Sequence, residues 1–160
     1  MKHPTNFYAQ AERVASTVAA LRHSKSPGFY RLRRGSSILD AQLEPEFHKL
    51  KAQMPYCPDG LLAVALLLAA RADGSQPLME ALSKDNARTR AGAHDSRVAR
   101  FIRSSDPLEV FTQVQRFIAQ CKGQVSPYDV AAITLRWQPL HVDALRKDLL
   151  AAYFHDTQSA

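Results

Sequence analysis

Apolar residues in this chain recur at spacings of three and four, and no segment alternates with the period of two expected of a half-buried strand. Phe7, Ala11, Val14, Val18 and Leu21 fall on one face of a first helix that Thr5 can cap, and Ser26-Pro27-Gly28 ends it. A short helical piece follows over Phe29 to Arg34, closed by Gly35, and Ser36-Ser37 restart the chain. Pro45 suits the first turn of a helix carrying Phe47, Leu50 and Met54. After Tyr56-Cys57-Pro58, Asp59 can cap an apolar helix from Leu61 to Arg71, stopped by Asp73-Gly74. Leu61 to Ala70 is apolar throughout, about half of what spans a bilayer, and predicts a helix buried on all sides.

Beyond Ser75 the pattern weakens. Pro77 to Leu82 supports one helical turn, and Lys84 to His94 is polar, basic and contains Gly92, which predicts a mobile loop. Asp95 or Ser96 starts a helix running to Ser104. Asp106-Pro107 and Ser126-Pro127 are cap-and-first-turn pairs. The first leads into Leu108, Phe111, Val114, Phe117/Ile118 and Cys121, ending at Lys122-Gly123; the second leads into Val130, Ile133 and Trp137. Val142, Leu145, Leu149 and Ala152/Tyr153 line a last helix. The expected fold is all-α, a bundle of about six to eight helices with no internal repeat, in one domain over 1–160 or two small helical lobes. Residues 1–94 hold the N-terminal helices and basic loop, and 95–160 form the more regular bundle.

Composition agrees. The 160 residues are 46% hydrophobic, enough for a core, while six glycines and 8% aromatics suit helices better than a β-sandwich or barrel. The N-terminus lacks an apolar signal core and two cysteines are too few for a disulfide framework, so a reduced, cytoplasmic protein without a membrane segment is expected.

Charge changes the picture more. The formal net charge is +6 and the pI about 9.6, which favours a polyanionic partner. Arg22 to Arg34 carries +5 with no acid, and Lys84 to Arg103 carries +4 net, so the rest of the chain is −3. Concentrated bases within an otherwise balanced chain form an electrostatic footprint for phosphates, although a solvated helix face would also hold them. Arg97, Arg100 and Arg103 are spaced by three on one helix face, while Val98, Phe101 and Ile102 point inward. Arginine's planar fork binds phosphate bidentately and stays charged. The bases lack interleaved aromatics and no compact helix-turn-helix is evident, which leaves backbone-directed, sequence-tolerant binding.

Catalytic chemistry finds little support. His94-Asp95-Ser96 contains triad residue types, but adjacency prevents the convergence a triad requires. Six histidines without an i, i+4 pair give no metal spacing, and Cys57, between Tyr56 and Pro58, reads as exposed but unactivated, while Cys121 sits on an apolar stripe. No phosphate loop or dinucleotide fingerprint is present. No catalytic residue, metal or cofactor is expected.

The ordered fragments Tyr30-Arg31-Leu32-Arg33-Arg34, Phe47-His48-Lys49-Leu50, Arg97 to Arg103, Val114-Gln115-Arg116-Phe117-Ile118, and Tyr128-Asp129 through Leu135-Arg136-Trp137 precede a basic helix ending at Tyr153-Phe154. In order and spacing this set resembles the small helical subunit of the type I-E CRISPR surveillance complex, Cascade, over roughly residues 28–155. The chain departs from that pattern at Leu78-Met79-Glu80, where a Leu-Gly-Arg is typical, at Ser96, where a second arginine often stands, and in the sparse set His141, Arg146 and Lys147. The resemblance implies a non-catalytic, all-helical subunit in antiviral defence, paired with a second copy of itself beside the large subunit and the guide-RNA backbone subunits. Its basic surface would steady the guide RNA–target DNA hybrid and the displaced DNA strand; R-loop exchange is nearly balanced, so modest backbone contacts can tip it. Resemblance and charge together nominate Arg33, Arg34, Arg97, Arg100, Arg103 and Arg116 as strand contacts, with Lys49, Arg136 and Arg146 second and loop residues Arg88 and Arg90 engaging on R-loop formation. The competing expectations are a helical protein–protein adaptor whose bases meet acidic surfaces, a free-standing DNA-binding regulator, and a hydrolase around His94.

Overall fold

The computed structural model describes residues 6–89 and 95–158, leaving aside the side chains of 86–89 and 156–158. Its first five helices are α1 (Phe7–His23), α2 (Pro27–Arg34), α3 (Ile38–Gln42), α4 (Pro45–Gln53) and α5 (Asp59–Arg71). Then come α6 (Leu78–Thr89), α7 (Asp95–Ile102), α8 (Pro107–Gln120), α9 (Pro127–Leu135) and α10 (Val142–Gln158). The protein is all-α. The only β pairing among the described residues is one parallel bridge between Gln76 and Val125.

Local chemistry explains most boundaries. Ser26, Ser37, Asp106 and Ser126 each accept a backbone N–H at a helix start, and prolines occupy the first turn of α2, α4, α8 and α9. Ser37 and Asp40 cap α3 reciprocally. Asn6 caps α1 through the Ala9 N–H; Thr5, the expected cap, lies outside the described residues. Ser26-Pro27-Gly28 does more than end α1, because Ser26 is also the cap of α2. Asp59 is the first helical residue of α5 and makes no side-chain cap bond.

α5 is the centre. Its ten residues from Leu61 to Ala70 are all buried, as its apolar run predicts, and it packs against α1 to α4, α8 and α9. α9 packs against both α1 and α5, while α6 and α7 pack against α8, and α10 packs against α6. Trp137, at the end of α9, stacks near Phe101 of α7 at 5.1 Å between ring centroids, which ties the groups together. The α5–α6 and α8–α9 connectors run side by side, joined by Asp73 N–H to the Gly123 carbonyl at 2.7 Å and Gly74 N–H to the Val125 carbonyl at 2.9 Å. A side chain at Gly74 would strike the Gln124 backbone, so glycine is required by that approach.

The loop expected from Lys84 is instead helix as far as Thr89. Leu78, Met79, Ala81, Leu82, Ser83 and Asp85 are buried against α10 and α8, so packing supplies what polar composition concealed. Arg90 to His94 of that stretch lie outside the described residues. Cys57, expected on the surface, is 2% exposed, because the α4–α5 connector turns inward over the core. Cys121 is buried as its position on the stripe predicts.

Candidate nucleic-acid interface

α7 has eight residues and two faces. Val98, Phe101 and Ile102 are buried, and Phe101 meets Phe117 of α8 edge-on at 5.5 Å. Arg97, Arg100 and, just past the last turn, Arg103 are exposed. α8 repeats the division: Val110, Phe111, Val114, Phe117 and Ile118 enter the core and leave Arg116 outside. The cationic face is therefore the geometric complement of core packing.

These arginines share one surface. A depression of about 560 Å³ between α7 and α8 is lined by Arg97, Arg100, Arg116 and Lys122, with Gln113 and Gln120. It continues through Arg100 and Gln113 into a second, of about 530 Å³, that holds Arg103, Ser96 and Glu109. On the other side, Arg116 and Lys122 also border a third of about 490 Å³, completed by Arg33 of α2 and Arg71 of α5. The basic windows around 33 and 97–103, far apart in sequence, thus meet across α8. Glu109 is the one carboxylate in these linings, and its Oε2 accepts the Ser105 N–H at 2.8 Å. Among the described residues none of Arg33, Arg97, Arg100, Arg103, Arg116 or Lys122 has a carboxylate partner.

The other nominated bases are placed differently. Arg34 is exposed with its Nε on the Tyr30 carbonyl at 3.3 Å, and it does not line the three depressions. Lys49 lies on α4 beside Glu46 at 3.5 Å. Arg136 pairs with Asp148 at 3.0 Å. Arg146 pairs with Asp143 at 3.4 Å, donates to the Ser104 carbonyl at 2.9 Å and lies over the Trp137 ring. The side chains of Arg88 and Arg90 are outside the described set.

Two bases of the first window are structural. Arg22 bonds Asp73 at 2.7 Å and the Ala70 and Ala72 carbonyls, and so closes the end of α5. Arg31 forks onto Glu44, which is 4% exposed and holds the Arg31 guanidinium above its ordinary value. Sequence reasoning missed Arg71 and Lys122. Arg71 was visible as a charge ending an apolar run, and Lys122 as the base before a helix-stopping glycine; Lys122 adopts a left-handed φ of 56°. Among the described residues no group of three or more His, Cys, Asp or Glu could hold a metal, and no helix is long and apolar enough to cross a membrane. Compared with protein-family models, curated proteins and solved structures, the chain gives no match.

Proposed function

We propose that this chain is a non-catalytic, sequence-independent nucleic-acid-binding subunit of a CRISPR Cascade complex, acting in antiviral defence by stabilising the R-loop through target and displaced non-target strands. One observation carries the reading: Arg33, Arg97, Arg100, Arg103 and Arg116 border a continuous run of depressions with no described carboxylate partner. Unpaired guanidiniums along a concave track suit a phosphate backbone, while the lack of stacking aromatics there suits binding without base preference. The resemblance in sequence order supplies the biological setting. Leu39 on α3 and Leu43 just past its end, 60% and 70% exposed, fit a chain that meets other subunits.

The test is binding of single-stranded and duplex DNA by the purified chain across a salt series, followed by target binding in the reconstituted complex. Retention that falls steeply with salt supports the reading. A flat salt response, or stable association with an acidic protein and no nucleic acid, favours the adaptor instead.

A further inference from the structure

The cationic surface is not uniform, and Arg71 is its exception. It is half-buried where the others stand in solvent, and its geometry is fixed. Nη1 donates to the Leu67 and Leu32 carbonyls at 2.9 and 3.3 Å, Nη2 donates to the Gly35 carbonyl at 2.6 Å, and the guanidinium lies 5.1 Å from the Phe111 ring centroid. That leaves Nε–H and one Nη2 hydrogen without an acceptor among the described residues. Burial first, and repulsion from Arg33 second, hold Arg71 below the ordinary arginine value.

Arg71 has no carboxylate partner, and neither have the three other cations that border the same depression. A partly desolvated charge facing like charges is costly unless a counterion completes it. Besides the four cations the depression is lined by Gln115, Ile118, Ala119 and Gly123, with no carboxylate among them. We propose that Arg33, Arg71, Arg116 and Lys122 form a discrete seat for one phosphate-type oxyanion, with Arg71 as its rigid fork. The inference deepens the strand-binding reading and rests on it, since a backbone phosphodiester is the expected occupant; a free phosphate compound offers the same chemistry.

Two ligands separate these sources: inorganic pyrophosphate and an oligothymidylate of about ten nucleotides, each titrated into the full chain. The variants are Arg71→Lys, the exposed pair Arg116→Gln with Lys122→Gln, and, outside the seat, Arg97→Gln with Arg103→Gln. Pyrophosphate should raise the melting temperature of the wild type and of the outside pair but not of the exposed seat pair. The seat pair should bind the oligonucleotide about tenfold more weakly. Arg71→Lys should lose the pyrophosphate response while keeping the charge; if it fails to fold, the exposed pair decides. No shift in the wild type, or an equal shift in the seat pair, overturns the seat. A seat-dependent pyrophosphate shift with oligonucleotide binding unchanged supports the seat, makes a free phosphate compound its occupant, and leaves strand binding to Arg97, Arg100 and Arg103. Strand binding with no pyrophosphate shift overturns the seat and leaves the strand-binding reading standing.

Discussion

The indole Nε1–H of Trp137 donates to the backbone carbonyl of Ser104 at 3.0 Å, a buried bond across 33 positions of sequence. Ser104 follows Arg103, so the bond pins the end of the arginine helix to the end of α9. The same carbonyl accepts Arg146 at 2.9 Å.

Because that carbonyl keeps Arg146 when the indole is removed, Trp137→Phe should cost only about 1–2 kcal/mol, one buried hydrogen bond plus a small void. Trp137→Ala should cost about 3–5 kcal/mol. Urea unfolding of both variants checks the ratio; equal costs would show that ring packing contributes nothing.

Reversing Arg97, Arg100 and Arg103 to Glu should abolish strand binding at moderate salt while leaving helicity and melting behaviour close to wild type, since all three are exposed. Neutralising them instead should lower the salt slope for single strands by about 2, the share of three phosphates. Normal target binding by a complex carrying the reversed chain would remove these residues from the interface.

Arg116 and Arg136 separate a charge count from a charge position. Arg136→Ala breaks an exposed pair with Asp148 and should leave strand affinity within about twofold, with under about 1 kcal/mol lost in stability. Arg116→Ala should weaken strand binding several-fold. Fluorescence anisotropy with one oligonucleotide compares them directly.

Two aspartates should respond to pH with opposite signs. Burial raises the Asp129 carboxyl above its ordinary 3.8, against the opposing Leu78 N–H bond. An acid protonated more easily folded than unfolded destabilises the fold as pH rises from 3.8 through that raised value. Asp129→Asn should therefore gain on wild type as pH rises through this window. Asp40 is lowered by the Ser36 N–H and by Ser37, so its contribution is present above 3.8 and lost as pH falls through its lowered value. The deficit of Asp40→Asn should shrink on acidification. Unfolding curves from about pH 3 to 6 test both signs.

Cys57 should resist thiol reagents until the chain unfolds. Burial pushes its thiol up to about 11, against the opposing charge of Lys51. Rapid labelling of native protein at neutral pH would contradict the packing of the α4–α5 connector.

Sequence was most informative where local chemistry and packing agree. The Asp106-Pro107 and Ser126-Pro127 starts and the buried run of α5 all follow from nearest-neighbour rules. The helical reach of Lys84 to Thr89 was hidden because its support comes from α10 and α8, elements distant in the chain. The arginine face of α7 was legible from spacing. The fate of individual bases was not: Arg31 and Arg33 are two residues apart, yet one is spent on buried Glu44 and the other borders the depression. Which way each turns depends on partners contributed by other helices.

Arg71 is also where the hidden helix reaches daylight. α5 is buried through ten consecutive residues, and the side chain that follows them joins the charged relief outside. Through the carbonyls of Leu32 and Gly35 that side chain also grips the end of α2. Ligand occupancy at this one guanidinium would therefore register in the molecule's interior as slower amide exchange around the α2 terminus, a message carried by a single residue.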